Sequence, residues 1–316
     1  MSLRSARMLA DVSLLAVVAG WGYMFVPVKQ ATTAWPSHCL TFVAVRFWIA
    51  TAAFLPVLAL APTAPVLRPG PSLRAGVGAG SLMLLGYAFQ TLGLRSTSAA
   101  VGAFITSLNV VFVPIGARLL GHRVSASAFV GVAIASVGLA VLCLGGGGGA
   151  DSPGFGTGEA LVLLCAVSFA GQILLTDRQA RRVDPIWFTF SQCAVTAVGA
   201  TIAACVFEAR VHGWPAFDVG VFGAAAFCGV VGSTVSFTAQ TMAQRITPAT
   251  HVALIFASEP VFGALFAHAL LREELTASML GGAGLILAGI GCSEVGALLR
   301  GRRRSRSETG TARREP

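Results

Sequence analysis

Glu259 and Pro260 interrupt an apolar run, Thr250 to Leu270, that is long enough to cross a bilayer. A hydrocarbon core takes about 20 residues of apolar helix, and a carboxylate at its centre costs roughly 2.5–3.5 kcal/mol on insertion scales. The proline removes one more backbone hydrogen bond, the one to Phe256. Lipid-facing helix gains nothing from either residue, so the pair points to a site. A carboxyl group there can bind a cationic amine or take a proton in exchange for substrate; its other reading is a carboxylate that ties helices together. The stretch also has a twin. Gln90–Ala133 aligns without a gap to Gln240–Ala283 at an offset of 150, with Gln90/Gln240, Thr91/Thr241, Ile105/Ile255, Phe112/Phe262 and Gly131/Gly281 among the identical pairs. Asn109 is the partner of Glu259, and it can bind substrate or bridge helices.

Other polar residues fall inside apolar runs. Gln90 and Gln240 occupy equivalent depths, and Ser233, Ser236 and Gln240 form a stripe, as do Tyr87 and Gln90. Amides and hydroxyls on a wet cavity read a polar substrate with both donors and acceptors; their other use is interhelical hydrogen bonding. His251, Ile255 and Glu259 share a face at four-residue steps. Trp21, Phe25 and Lys29 do the same, offering an aromatic wall with a cation to a planar or carboxylate-bearing solute, unless Lys29 only snorkels to water. Gln172 is a further lining candidate. Arg46 lies a turn or two into its helix, where it snorkels, pairs, or contacts an anion.

These residues need a membrane-embedded frame. The chain is 55% hydrophobic and 11% charged, against about 25% charged in soluble domains. The apolar runs predict an all-α membrane protein of ten transmembrane helices, at 10–31, 40–60, 74–93, 99–119, 126–144, 158–177, 186–207, 219–243, 249–270 and 278–299. The first run is too long for a signal peptide and ends at Lys29 without a cleavage site. With the N-terminus inside, the inner segments carry Arg4, Arg7, Arg68, Arg74, Arg118, Arg123, Arg178, Arg181, Arg182, Arg245 and the arginines of the tail, whereas the outer ones carry only Lys29, Arg95, Arg210 and Arg272. Five crossings per copy is odd, so the second five-helix repeat is inverted relative to the first, the plan of secondary transporters with a midplane site. The units are 1–144, a Gly-rich linker at 145–157, 158–299, and a basic tail at 300–316 expected to be disordered and to lie on anionic lipid at the cytoplasmic face. Pro62–Pro71 reads as an inner loop.

The sequence also excludes. The net charge of +9 sits in loops and tail with no nucleic-acid motif, so nucleic acid is not an expected partner. The 7 cysteines show no CxxC spacing and read as small buried hydrophobes, so no metal or cofactor is expected. The histidines are too scattered for an intramembrane enzyme, no ATP-binding motif is present, and a non-transporting scaffold has no use for a polar midplane. Small residues at Gly131 and Ala135, and at Gly281, Gly282, Ala283, Gly284, Ala288 and Gly289, serve internal helix contacts or a homodimer seam.

Trp21-Gly22 with Lys29 resembles the WG…K signature of the EamA-type branch of the drug/metabolite transporter superfamily. Ala44-Val45-Arg46-Phe47 resembles its second-helix Arg-Phe motif, and Ser258-Glu259-Pro260-Val261-Phe262 through Leu271-Arg272-Glu273-Glu274-Leu275-Thr276, then Gly281–Gly289, resembles its ninth and tenth helices. The resemblance covers about residues 9–297 and implies a ten-helix inverted repeat with both termini inside, moving small metabolites. In the first repeat Asn109 stands in place of a carboxylate and the proline is displaced to Pro114, which speaks against a mechanism with two symmetric acids. The reading is a secondary transporter of small polar metabolites, amino acids or analogues, exporting them across the cytoplasmic membrane by alternating access. The runner-up is an exchanger of phosphorylated sugars or nucleotide-sugars, which calls for several cations in the cavity.

Overall fold

Apolar backbone in lipid must satisfy its own N–H and C=O groups, and a helix does so within one segment. The structure, a computed structural model, describes residues 3–60, 69–119, 126–142, 155–245, 255–256, 258–289 and 291–292. The elements are α1 (Leu3–Ala34), α2 (Cys39–Leu60), α3 (Pro69–Leu94), α4 (Ala99–Leu119), α5 (Ala126–Leu142), α6 (Thr157–Gln179), α7 (Pro185–His212), α8 (Val219–Gln244), α9 (Glu259–Leu271) and α10 (Ala277–Gly289). Among the described residues seven of these, α1–α4 and α6–α8, are long and apolar enough to cross a membrane; α5, α9 and α10 are shorter. Residues 249–254, 293–299, the linker at 145–149 and the tail at 300–316 lie outside the described residues, as does His251.

The expected inner loop at Pro62–Pro71 is too long at its end. Pro69 and Pro71 belong to the first turn of α3, where a missing N–H costs nothing. Three helices depart from regular α geometry. α4 is two pieces, Ala99–Thr106 and Asn109–Leu119. At the break the Ser107 hydroxyl donates to the Phe104 carbonyl at 2.6 Å, competing with the helical ladder. One residue further along in the second copy Ser258 Oγ donates to the Ile255 carbonyl at 2.7 Å, and α9 starts at Glu259. Glu259 is therefore not in mid-helix as the apolar run suggested. It opens a helical piece, as Asn109 does in the twin. α7 and α8 each carry one wide π-type turn, at Cys205–Ala209 and Val230–Val235.

The packing has a two-fold logic. α3 packs on α6 and α7, and α8 packs on α1 and α2; α1 packs on α9, and α6 on α4; α2 meets α7, and α4 meets α9. Exchanging α1–α5 with α6–α10 leaves this set unchanged. Gly22 lets α1 and α9 touch: a Cβ there would stand 2.6 Å from that of Phe262. A Cβ at Gly138 would meet the Gly282 carbonyl at 2.7 Å, and one at Gly289 the Gly131 carbonyl at 2.5 Å. The small residues of α5 and α10 thus seat these two helices on each other, while Gly281 and Gly284 face open space.

Among the described residues the connections fall at two ends of the bundle. At one end Arg95 donates to the Pro36 carbonyl at 3.0 Å and His38 Nε2 lies 3.2 Å from the Gly213 carbonyl. There also Glu273 accepts from the N–H groups of Ala99 and Ala100 at 2.8 and 3.0 Å, and Glu208 from those of Leu40 and Thr41 at 2.7 and 2.8 Å. At the opposite end the N–H of Asp184 donates to Ser72 at 3.0 Å, and Ser191 donates to the Leu73 carbonyl at 2.7 Å.

Candidate functional site

A cavity with an empty volume of about 550 Å³ opens among α1, α2, α3, α4, α6, α8 and α9. Six aromatic residues, Trp21, Phe25, Tyr87, Phe169, Phe237 and Phe256, contribute to its walls. Trp21 sits 5.4 Å from Phe237 and 5.1 Å from Phe256, ring centre to ring centre. Tyr87 sits 5.0 Å from Phe169 and 4.9 Å from Phe47. Offset and edge-on arrangements at these separations are the favoured ones, so the rings brace each other.

Of the residues singled out in the sequence, Glu259, Asn109, Gln240, Gln90, Tyr87, Trp21 and Gln172 line this cavity. Glu259 is buried, yet among the described residues no hydrogen bond or ion pair holds its carboxyl group. Asn109 Oδ1 and both polar atoms of the Gln240 amide are buried without a partner. Native interiors leave few such atoms unpaired, and each costs free energy unless something binds it. Gln172 is more committed: its amide donates to Gln192 Oε1 at 2.8 Å and to Thr176 Oγ1 at 3.1 Å.

Lys29 and Ser236 lie outside the cavity lining. Lys29 Nζ donates to the carbonyls of Leu94 and Thr97 at 2.8 and 2.7 Å, tying α1 to the α3–α4 connection. Its depth on the Trp21–Phe25 face was legible, but its neighbours were not. Ser236 Oγ donates to the Val231 carbonyl at 2.8 Å inside the wide turn of α8. The stripe Ser233–Ser236–Gln240 assumed regular 3.6-residue turns, and a π turn breaks that count. The stripe is accordingly divided: Gln240 reaches the cavity, while Ser233 is buried behind it and donates to the Cys228 carbonyl at 3.2 Å.

Arg46 lies about two turns into α2, as read from the sequence, but it does not snorkel. It is 2% exposed and its guanidinium lines the cavity instead of reaching for water. The group lies over the Tyr87 ring, 4.2 Å from its centre, with Nε 3.3 Å from Ser233 Oγ and Nη2 3.6 Å from Met24 Sδ. The wide turn of α8 makes room for it. A Cβ on Gly232 would stand 3.3 Å from Nη2 and collide with Met24, and one on Gly229 would meet the Arg46 carbonyl at 2.5 Å. Trp21 donates its indole N–H to the Gly232 carbonyl at 3.0 Å, giving a partner to backbone that the widened ladder exposes. Met24, Phe25, Phe169, Phe237 and Phe256 complete the walls. Only Phe25 had a sequence signal, its four-residue step from Trp21.

No group of His, Cys, Asp and Glu among the described residues has the arrangement of a metal site. The cavity can therefore present one carboxyl group, one guanidinium, several free amide atoms and a large aromatic surface to a solute of modest size.

Comparison with known proteins gives this geometry a context. The model of the EamA-like transporter family matches the chain twice, at residues 8–144 and 156–293. An uncharacterized transporter of Archaeoglobus fulgidus is 32% identical over 289 residues, covering 90% of this chain and 85% of the relative. A solved crystal structure superposes with a TM-score of 0.64 at 20% identity, covering 95% of this chain and 98% of the other, and shares its fold. With both halves of the sequence matched by one family model, the chain belongs to the EamA-like transporter family and is a multi-pass membrane transporter.

Proposed function

We propose that the protein is a secondary transporter that exports small polar metabolites, amino acids or their analogues, across the cytoplasmic membrane. The observation that carries this is the polar set of the cavity: Asn109 Oδ1 and the Gln240 amide, buried without a partner, beside the Glu259 carboxyl, for which no partner stands among the described residues. Buried polar groups without protein partners call for a polar guest, and the aromatic walls shield that guest from lipid. Glu259 and Asn109 each open a helical piece at a break. Broken helices beside a central cavity are how transporters expose binding groups at the midplane.

In this reading ten crossings form two inverted repeats with both termini cytoplasmic. The α1–α2 and α6–α7 pairs rock against the rest to open the cavity to one side and then the other. The two-fold packing and the connections at two ends of the bundle support it. Membrane-impermeant thiol labelling checks the topology: Arg118→Cys should react from inside and Arg272→Cys from outside.

Counterflow in proteoliposomes tests the function. Vesicles preloaded with each of the twenty unlabelled amino acids should accumulate the labelled form of at least one. Wild-type vesicles that exchange none of them and instead exchange hexose phosphates would install the phosphorylated-sugar exchanger as the reading.

A further inference from the structure

Arg46 is the one lysine or arginine among the described residues that line the cavity. A guanidinium carries five N–H donors in a plane. Among the described residues Arg46 has a single oxygen acceptor, Ser233 Oγ at 3.3 Å, and a long contact to Met24 Sδ. Glu259 shares the cavity but makes no ion pair with it. Burying a guanidinium is costly unless an anion and further acceptors complete it. The group is nonetheless held in place: the Tyr87 ring lies on one side of it, 4.2 Å away at its centre, and Gly232 leaves the space beside Nη2. A fixed planar fork with open donors is the geometry that takes two oxygens of one anion side by side.

We propose that Arg46 binds the carboxylate of the transported solute and that the solute is dipolar, with its ammonium group turned to Glu259. This rests on the amino-acid reading above and sharpens it, since the guest must carry both charges and bridge two protein groups that do not pair with each other. Phosphate has related chemistry. A phosphate dianion, however, meets only one cation here and shares the space with the Glu259 carboxyl, so the cavity favours the singly charged anion.

The test uses the purified full-length protein in proteoliposomes. The amino acid with the strongest counterflow among the twenty is compared with its own amide, with the carboxylic acid lacking its amine, and with glucose 6-phosphate as competitors. In the wild type the amide should compete about thirtyfold more weakly than the amino acid, the scale of one charge-assisted hydrogen-bonded pair. The amine-free acid should also be weakened, through loss of the contact to Glu259. Arg46→Gln should raise KM for the amino acid by a similar factor, leave kcat within a few-fold, and shrink the acid-to-amide preference to near unity. Arg46→Lys should recover part of that preference. A purely structural arginine predicts lower yield and lower kcat with the preference intact.

Thermal melting in detergent checks that each variant folds, and the wild-type ligand comparison decides the matter even where Arg46→Gln does not. An amide that competes as well as the acid overturns the proposal, as does an Arg46→Gln variant that keeps the preference. Glucose 6-phosphate competing better than any amino acid overturns it as well. Wild-type vesicles that move no amino acid strike the functional reading itself, before Arg46 is in question.

Discussion

Glu208 and Glu273 stand at one end of the bundle, and each accepts two backbone N–H groups from the start of a helix far away in sequence. Asp184 and Asp218 cap their own helices in the same way. Glu259, in the cavity, is as buried as Glu208 and has no donor at all among the described residues. Within one protein the same functional group is consumed by structure at the helix ends and left free at the centre. A capped carboxylate recovers its desolvation cost through hydrogen bonds that also satisfy orphan helix donors. An uncapped one leaves that cost outstanding until something enters the cavity. The contrast separates residues that hold the fold from residues held ready for a guest.

The sharpest way to break this contrast is Glu259→Gln. Transport should fall by about a hundredfold, the scale of a lost charge contact in a water-poor site. Amount in the membrane and melting temperature should be unchanged or higher, because a neutral amide is cheaper to bury than a carboxylate. If the variant melts well below wild type, Glu259 is one more structural carboxylate. Glu273→Ala is the mirror case. It should cost about 1–3 kcal/mol of stability, since two N–H groups of α4 lose their acceptor, while counterflow per folded molecule stays within about twofold.

Two smaller effects refine the line between the classes. Gln240→Leu removes two unpartnered buried atoms. It should raise the melting temperature while lowering flux about three- to tenfold, the worth of one neutral hydrogen bond to substrate. A lower melting temperature with normal flux would move Gln240 to the structural side. Ser236→Ala removes only the hydroxyl bonded to the Val231 carbonyl. Its expected cost is about 0.5–1.5 kcal/mol of stability, and an altered KM would show that Ser236 reaches the cavity after all.

How far the sequence disclosed this arrangement follows the same division. Polar residues inside apolar runs are conspicuous, so Glu259, Asn109, Gln90, Gln240, Gln172 and Tyr87 could be picked out and all lie on the cavity wall. Lys29 and Ser236 were equally conspicuous, yet their partners are backbone carbonyls of other turns and connections, which no local pattern reveals. The depth of Arg46 was legible, but whether it snorkels, pairs or contacts an anion was left open. The space beside its guanidinium is left by Gly232, across the interface on α8, which no neighbouring residue in sequence announces. Trp21, Phe25 and Tyr87 were picked out, but Phe169, Phe237 and Phe256 escaped for a different reason: in a chain this apolar, a phenylalanine on a cavity and one on lipid read alike. Seven spans among the described residues were plain from length and hydropathy, but the breaks before Asn109 and Glu259 were not. Proline at 260 hinted at one, and nothing in composition marked the other.

The wide turn at Val230–Val235 carries a consequence for inheritance of the site. Such a turn holds one residue more than the regular helix needs. Deleting that residue would tighten the coil and swing everything downstream by about 100° about the axis. Phe237 and Gln240 would leave the chamber and face a neighbouring helix or the hydrocarbon, with every side chain still present. Descendants of this chain can exchange the lipid-facing residues of α8 and keep the chamber, whereas the loss of a single codon in that short stretch dismantles it.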